Sequence, residues 1–153
     1  MDIEAPISKS KKNYIVIWIV CCLAGAAWLA YDGYFSKTFI KTHTNSDGSP
    51  DSTLAFNRFS PPVLVVAAAA LCVYLLVIGK RRIAAGESEL VICDKERIRY
   101  DSIEKIDRTH FESKGFFIIT YKPDGSREID RKLSDRNYDN LGAVLEKLVA
   151  EIS

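Results

Sequence analysis

Three basic residues at alternating positions are the pattern in this sequence that most directly suggests a binding chemistry. Lys95, Arg97 and Arg99 follow a predicted turn, and the two-residue period of a β-strand would place all three side chains on one face. A second basic group, Lys80, Arg81 and Arg82, precedes them. Clustered cations near a bilayer attract anionic headgroups. These six residues are therefore a candidate anionic-lipid contact.

Acidic residues accompany this basic cluster. Glu96, Asp101 and Glu104 alternate with the cations, and residues 87–153 contain 12 basic and 15 acidic side chains. The alternative interpretation is an ordinary solvated face held by cross-strand ion pairs. The whole chain has a formal charge of only +1, which argues against a nucleic-acid partner.

The two histidines are the next candidates for chemistry. His43 lies in a polar stretch, and His110, as a general base, would need Asp107 or Glu112 beside it. The chain contains no HExxH, GxSxG, glycine-rich phosphate loop or paired-cysteine metal pattern. We therefore predict no catalytic residue, no metal site and no cofactor, and interpret both histidines as solvated. An enzyme with His110 as its base stays the alternative.

The four cysteines form no recognisable framework. Cys21, Cys22 and Cys72 lie in apolar runs, where cysteine behaves as a small hydrophobe. Cys93 falls on a predicted strand in what we expect to be a reducing compartment. No functional role is predicted for any of them.

Two uncharged apolar runs dominate the first half of the chain. The first is YIVIWIVCCLAGAAWLA, and the second is PPVLVVAAAALCVYLLVIG. About 17 helical residues extend roughly 26 Å, which just crosses a bilayer. We predict transmembrane helices at 14–31 and 61–79, the second beginning at its proline pair. A buried helix of a soluble protein would show a polar stripe, and neither run has one.

A cleaved signal peptide is the other interpretation of the first run. Three lysines precede the run, and Ala24-Gly25-Ala26 fits a cleavage pattern. The run continues past that site through Trp28 and ends in aromatic residues, as helices do at a bilayer surface.

Basic residues flank the outer ends of both runs. Lys9, Lys11 and Lys12 precede the first, Lys80 to Arg82 follow the second, and the connecting stretch has three basic and three acidic residues. The positive-inside rule then predicts a cytoplasmic tail at 1–13, an extracytoplasmic loop at 32–60 and both termini in the cytoplasm.

Small residues cluster within both predicted helices. Small side chains let helices approach closely in lipid, either within one hairpin or against another membrane protein. No Asp, Glu, Lys, Arg or His lies in either run, which disfavours a channel or transporter built from this chain alone. The candidate helix-packing face comprises Gly25, Ala26, Ala30, Ala67 and Ala68.

The pattern of residues 87–153 predicts a small β-rich domain that ends in one helix. Alternating apolar residues predict about five antiparallel strands, at 89–93, 97–100, 103–111, 115–122 and 127–133. Apolar residues then recur at three- and four-residue steps from Tyr138 to Ile152, the pattern of an amphipathic helix. Asp135 or Asn137 is its predicted cap.

This arrangement resembles the bacterial membrane-anchored PH-like proteins, in which a pleckstrin-homology-type domain lies beneath a two-helix hairpin. The likeness rests on Tyr100-Asp101-Ser102-Ile103-Glu104-Lys105-Ile106 and on the Gly-Phe-Phe-Ile-Ile-Thr-Tyr strand followed by a turn and the final helix. A full PH fold has seven strands, of which the pattern accounts for about five. The resemblance implies scaffolding or assembly at the cytoplasmic face without enzymatic activity.

These observations predict an α+β membrane protein, with two transmembrane helices followed by a PH-like antiparallel sheet or half-barrel closed by an amphipathic helix. We expect a multi-pass, non-enzymatic protein of the bacterial inner membrane that displays this domain for contact with a membrane protein or its own copies. The alternatives are an accessory subunit docked through the small-residue faces and an anionic-lipid-binding module. The expected partners are the lipid bilayer and protein, not nucleic acid.

Overall fold

The computed structural model describes residues 2–153, which form two compact units. One unit comprises residues 2–12 and 77–153, and the other comprises residues 13–76. The α+β class is confirmed, since the chain combines two long apolar helices with two small antiparallel sheets.

The two long helices occupy the first half of the chain. Helix α1 is Lys9–Ala30 and continues as a π-helical turn at Tyr31–Phe35, short helix α2 is Lys37–Thr42, and helix α3 is Ser52–Gly79. Both long helices have the length and composition needed to cross a membrane. Only 17% of the most apolar stretch of α1 and 11% of that of α3 is buried, whereas the core helix of a soluble protein is mostly buried.

Helix α3 begins earlier than the sequence predicted. It starts at Ser52, and Pro61 and Pro62 lie inside it instead of at its first turn. The earlier start has a local cause: the Asp51 side chain accepts a hydrogen bond from the Leu54 amide at 2.8 Å, as an N-cap residue does. Such a cap stabilises a helical turn well before the proline pair.

The first sheet contains a strand that the sequence did not predict. Strand β1, Ile3–Pro6, pairs antiparallel with β2, Arg82–Ala85. Two further antiparallel strands, β3 at Glu89–Ile92 and β4 at Glu96–Arg99, complete the order β1-β2-β3-β4. Segment 1–13, predicted as a tail, thus supplies a strand. The domain predicted to begin at residue 87 already includes β2.

The second sheet follows directly. After a 3-10 turn at Tyr100–Ser102, β5 is Ile103–Asp107, and a single helical turn, α4, is Phe111–Lys114. Strands β6, Phe116–Tyr121, and β7, Ile129–Ser134, complete an antiparallel sheet of order β5-β6-β7. The predicted third strand therefore ends at Asp107 instead of residue 111.

Helix α5, Leu141–Ile152, closes the chain, and its start also differs from the prediction. Its N-cap is Asn140 in the left-handed region at φ 62°, not Asp135 or Asn137. Tyr138, expected on the helical stripe, forms an isolated bridge with Ile7, and the Asp139 amide donates to the Pro6 carbonyl at 2.8 Å. The backbone of the N-terminal strand therefore holds this segment out of the helix.

One hydrophobic core unites both sheets and α5. Alternate residues of β2, β3 and β6 point into it, as the two-residue period requires. Its fully buried members include Ala5, Ile83, Leu90, Ile98, Phe117, Ile119, Val144 and Leu148. Ala5 belongs to this core although the segment that carries it precedes both long helices.

Candidate functional site

The place where the long helices join the sheet is the first structural feature with functional meaning. Pro6 pairs with Arg82, and the Ile7 amide donates to the Arg81 carbonyl at 3.3 Å. The chain therefore leaves the sheet at residue 7 and returns to it at residue 81 at adjacent positions. The sequence signal for this was weak, because four residues containing a proline do not look like a strand. Proline is tolerated here because β1 is an edge strand.

Further hydrogen bonds anchor the N-terminal segment. The Ser8 amide donates to the Asn137 carbonyl at 2.8 Å, and the Asn140 side chain donates to the Glu4 carbonyl at 3.2 Å. The Lys9 amide donates to the Asp139 carboxylate at 2.9 Å. Residues 4–9 are thus bound to the loop before α5 as well as to β2.

The predicted basic cluster is mostly paired with carboxylates. Arg97 lies 2.9 Å from Glu89, and Arg99 forms an ion pair with Asp101. Both arginines are exposed on the outward side of β4, while Lys95 lies in the β3–β4 turn. The alternative interpretation, a solvated face with ion pairs, describes these two arginines.

The other three predicted cations, at residues 80–82, differ in whether a carboxylate lies beside them. Arg82 lies 3.3 Å from Glu4 and 3.9 Å from Asp94. Lys80 and Arg81 are exposed after the end of α3, and no ion pair joins them to a carboxylate within residues 2–153. The six candidate residues therefore do not form one uncompensated cationic face.

The predicted small-residue face packs within the helical hairpin. Ala26 and Ala68 are buried, and Ala30 and Ala67 are half-buried. A Cβ atom placed on Gly25 would lie 3.5 Å from Leu64 Cδ1, an ordinary contact between α1 and α3.

Between α3 and the segment of α1 and its π-helical turn, the tighter of the two glycine approaches is at Gly33, which the sequence did not single out. A Cβ atom there would lie 3.0 Å from the Asn57 carbonyl oxygen, closer than most Cβ contacts, so a side chain at this position requires the Asn57 backbone to move by a few tenths of an ångström. The Arg58 Nε donates to the Gly33 carbonyl at 2.9 Å, and the Tyr34 hydroxyl donates to the Arg58 carbonyl at 3.1 Å. A single glycine in the Tyr31-Asp32-Gly33-Tyr34-Phe35 segment was the available signal.

The histidines lie in different surroundings. His43, predicted to be solvated, is half-buried, with Nδ1 2.8 Å from an Asp51 carboxylate oxygen and its ring against Phe39. Hydrogen bonds from the Leu54 amide and then from His43 lower the pKa of Asp51. His110 is exposed, with its ring 5.3 Å from that of Phe116, and within residues 2–153 no hydrogen bond joins it to Asp107 or Glu112.

Cys93 and three tyrosines define the polar edges of the domain core. Cys93, expected on a strand, lies in the β3–β4 turn at φ 56°, and its Sγ is 3.3 Å from the Tyr138 hydroxyl. Burial raises the pKa of Tyr100, Tyr121 and Tyr138 to about 12. The Tyr121 hydroxyl also donates to Glu96 at 2.5 Å, and this hydrogen bond contributes to the raised pKa of Tyr121.

A groove lies between α5 and the α4 segment. Its volume is about 910 Å³, and Phe111, Leu145 and Val149 supply apolar surface. Arg108, Glu112 and Glu146 supply charges around it.

Comparisons with protein-family models, with curated proteins and with solved structures find no match for this chain.

Proposed function

We propose that this protein is a non-enzymatic membrane protein that displays a small PH-like domain at the cytoplasmic face of the bacterial inner membrane. Residues 9–79 form the membrane anchor, and the domain associates there with a protein partner or with copies of itself. The pairing of β1 with β2 is the observation that carries this proposal, because it joins the domain to both ends of the anchor.

That pairing bears directly on sidedness. Strands 3–6 and 82–85 exchange backbone hydrogen bonds, which requires both to be on the same side of a bilayer. The intervening chain then crosses an even number of times, which agrees with two spanning helices. Cleavage of a signal peptide after Ala26 would remove β1 and leave Ile83 and Ala85 without their partner strand. The pairing therefore favours retention of α1.

The surfaces of the two helices support a lipid environment. Trp28, Leu76 and Val66 are 73%, 71% and 68% exposed, which is costly in water for residues of this size. The basic residues at 9–12 and 80–82 flank the ends that join the sheet. By the positive-inside rule, those ends and the domain face the cytoplasm.

The element count supports the PH-like assignment. Seven strands and a closing C-terminal helix are what a complete PH fold requires, and β1 and β2 are the two strands that the sequence pattern did not provide. The groove beside α5 offers this domain a surface for protein contact. The accessory-subunit alternative is less well supported, because Ala26 and Ala68 are already buried within the hairpin.

Site-directed labelling tests the anchor and its sidedness. In a background without native cysteines, Ser46→Cys reports on the loop between α2 and α3, and Ser126→Cys reports on the β6–β7 turn. A membrane-impermeant thiol reagent should label position 46 in intact spheroplasts and position 126 only after permeabilisation. Recovery of the protein in the soluble fraction, or labelling of both positions in intact spheroplasts, would refute the proposal.

Crosslinking in living cells tests the association. A photoreactive amino acid at Ala150, which is exposed and lines the groove, should give one discrete crosslinked product, either a dimer or a complex with one protein. The same amino acid at Asp124, exposed in the β6–β7 turn, serves as the control. Absence of a discrete product from position 150, or equal products from both positions, counts against association through this groove.

A further inference from the structure

A second cavity in the domain is lined by cations and hydroxyl groups. It has a volume of about 570 Å³ and lies where α4, β6 and β7 meet the loop before α5. Its lining includes Lys114, Lys132, Arg136, Ser113, Ser134 and Phe116. We call this cavity the basic pocket. None of its basic residues belongs to the cluster that the sequence singled out.

The cations of the basic pocket lack acidic partners. No aspartate or glutamate lines it, and within residues 2–153 no ion pair joins Lys114, Lys132 or Arg136 to a carboxylate. On β4, by contrast, Arg97 and Arg99 each form an ion pair with a carboxylate. The basic pocket therefore carries positive charge that no paired carboxylate offsets, unlike Arg97 and Arg99 on β4.

An aromatic ring positions one of these cations. Lys132 Nζ lies 3.7 Å from the centre of the Phe116 ring, a cation–π contact between neighbouring strands. The ring orients the ammonium group but leaves its charge in place, whereas a carboxylate would neutralise that charge. Lysine, arginine and serine side chains are the donors that hold a phosphate group.

The loop that carries Arg136 is bonded to the residues just before the apolar part of α1. Asn137, which also lines the pocket, accepts a hydrogen bond from Lys11 Nζ at 3.1 Å, and its carbonyl accepts one from the Ser8 amide at 2.8 Å. Only two residues separate Lys11 from Tyr14, where the uncharged run begins. The pocket thus adjoins the segment that enters the membrane in the proposed function.

We propose that the basic pocket binds the phosphate group of an anionic phospholipid of the cytoplasmic leaflet. The three cations neutralise the phosphate, and Ser113 and Ser134 supply hydroxyl donors. Lys11, bonded to Asn137 of the lining, adds positive charge beside the pocket. This inference rests on the proposed function, because a lipid headgroup is available only if residues 9–79 are in the membrane.

Two double variants that remove the same charge test the inference. The full chain in neutral detergent is titrated with dioctanoyl phosphatidylglycerol, with zwitterionic dioctanoyl phosphatidylcholine and inorganic phosphate as comparison probes, and binding is followed by native mass spectrometry. Lys132→Gln with Arg136→Gln should raise the Kd for phosphatidylglycerol at least tenfold. Arg97→Gln with Arg99→Gln should change it less than twofold. Neither probe used for comparison should bind as tightly as phosphatidylglycerol.

Each contrary outcome has a distinct meaning. If both double variants weaken phosphatidylglycerol binding equally, the binding is diffuse charge attraction and not a property of the pocket. If the wild type does not bind phosphatidylglycerol, the site is refuted. Tighter binding of inorganic phosphate would reassign the pocket to a soluble phosphate compound. Thermal unfolding of each variant verifies its fold, and Lys114→Gln provides an independent single variant. Labelling at position 46 separately tests the membrane anchor, so the two proposals fail by different measurements.

Discussion

The Tyr34 hydroxyl donates a hydrogen bond to the Arg58 carbonyl, which Pro62 leaves without its usual helical partner. In an α-helix the amide of residue 62 would donate to the carbonyl of residue 58, and proline has no amide hydrogen. The oxygen-to-oxygen distance is 3.1 Å. A side chain from the turn after α1 therefore satisfies a backbone group that the proline pair exposes in α3.

Removal of this hydroxyl should weaken the hairpin. Tyr34→Phe leaves the Arg58 carbonyl unsatisfied, and we expect a loss of about 1 kcal/mol in the free energy of unfolding. Both tryptophans of the chain, Trp18 and Trp28, lie in α1, so their fluorescence during denaturant titration in detergent reports on this unit.

Tyr31→Phe is the control for the Tyr34 variant. Tyr31 is exposed in the same turn, and within residues 2–153 its side chain has no hydrogen-bond partner. Equal stabilities of the two variants would show that the Tyr34 hydrogen bond contributes nothing to the hairpin.

Two glycines in the hairpin should respond differently to an added methyl group. Gly33→Ala forces a methyl to within 3.0 Å of the Asn57 backbone oxygen and should cost about 1–3 kcal/mol. Gly25→Ala meets only Leu64 Cδ1 at 3.5 Å, so its effect should stay within about 0.5 kcal/mol. The same tryptophan titration measures both. A larger effect at Gly25 than at Gly33 would contradict the packing described here.

The N-terminal strand should be essential to the stability of the domain. Ala5 is fully buried in the core, and Ala5→Asp places a carboxyl group there at a cost of roughly 2–7 kcal/mol. Hydrogen exchange of β2 and β3 amides should accelerate accordingly. Glu4→Gln, on the exposed side, removes only the half-exposed pair with Arg82 and should cost no more than about 1 kcal/mol. Unchanged exchange in Ala5→Asp would mean that β1 is dispensable.

Alkaline pH should destabilise the domain through its tyrosines. Burial raises the pKa of Tyr100, Tyr121 and Tyr138 from 10 to about 12, so the unfolded chain loses these protons first as the pH rises. The stability that their neutral forms provide is complete below pH 10 and declines as the pH rises through 12.

Urea unfolding between pH 8 and 12, with phenolate absorbance recorded in parallel, measures this dependence. Tyr121→Phe removes one of the three titrating groups and should flatten the decline above pH 10. Stability that stays constant between pH 10 and 12 in the wild type would contradict the raised pKa values.

The elements that the sequence predicted well are those whose signals are local. Strands β6 and β7 were recognised from an alternating apolar pattern on each side of Pro123-Asp124-Gly125-Ser126, and α5 was recognised from its repeating apolar stripe. The two apolar helices can be recognised from their composition alone. Each of these patterns is complete within a few residues of sequence.

The features that escaped prediction depend on distant partners. Ile3–Pro6 alternates over only four residues and ends in proline, too short a signal to predict a strand, and it becomes one because β2 offers it an edge. The loop before α5 stays unwound because it bonds to Pro6 and Ser8. The basic pocket likewise combines Lys114 with Lys132 and Arg136 from separate elements, and only the fold brings them together.

The insertion of both long helices between β1 and β2 has a consequence for biosynthesis. Ile3 leaves the ribosome first, but its partner Ala85 follows only after the whole of α1 to α3. At roughly 5–20 residues per second, several seconds pass with β1 unpaired. If α1 to α3 insert in the bilayer as proposed, sheet closure waits until the hairpin is in place. A chain with a misinserted helix would keep the edge of β2 open, and an open edge promotes aggregation. Completion of the four-stranded sheet would thereby distinguish correctly inserted molecules from misinserted ones.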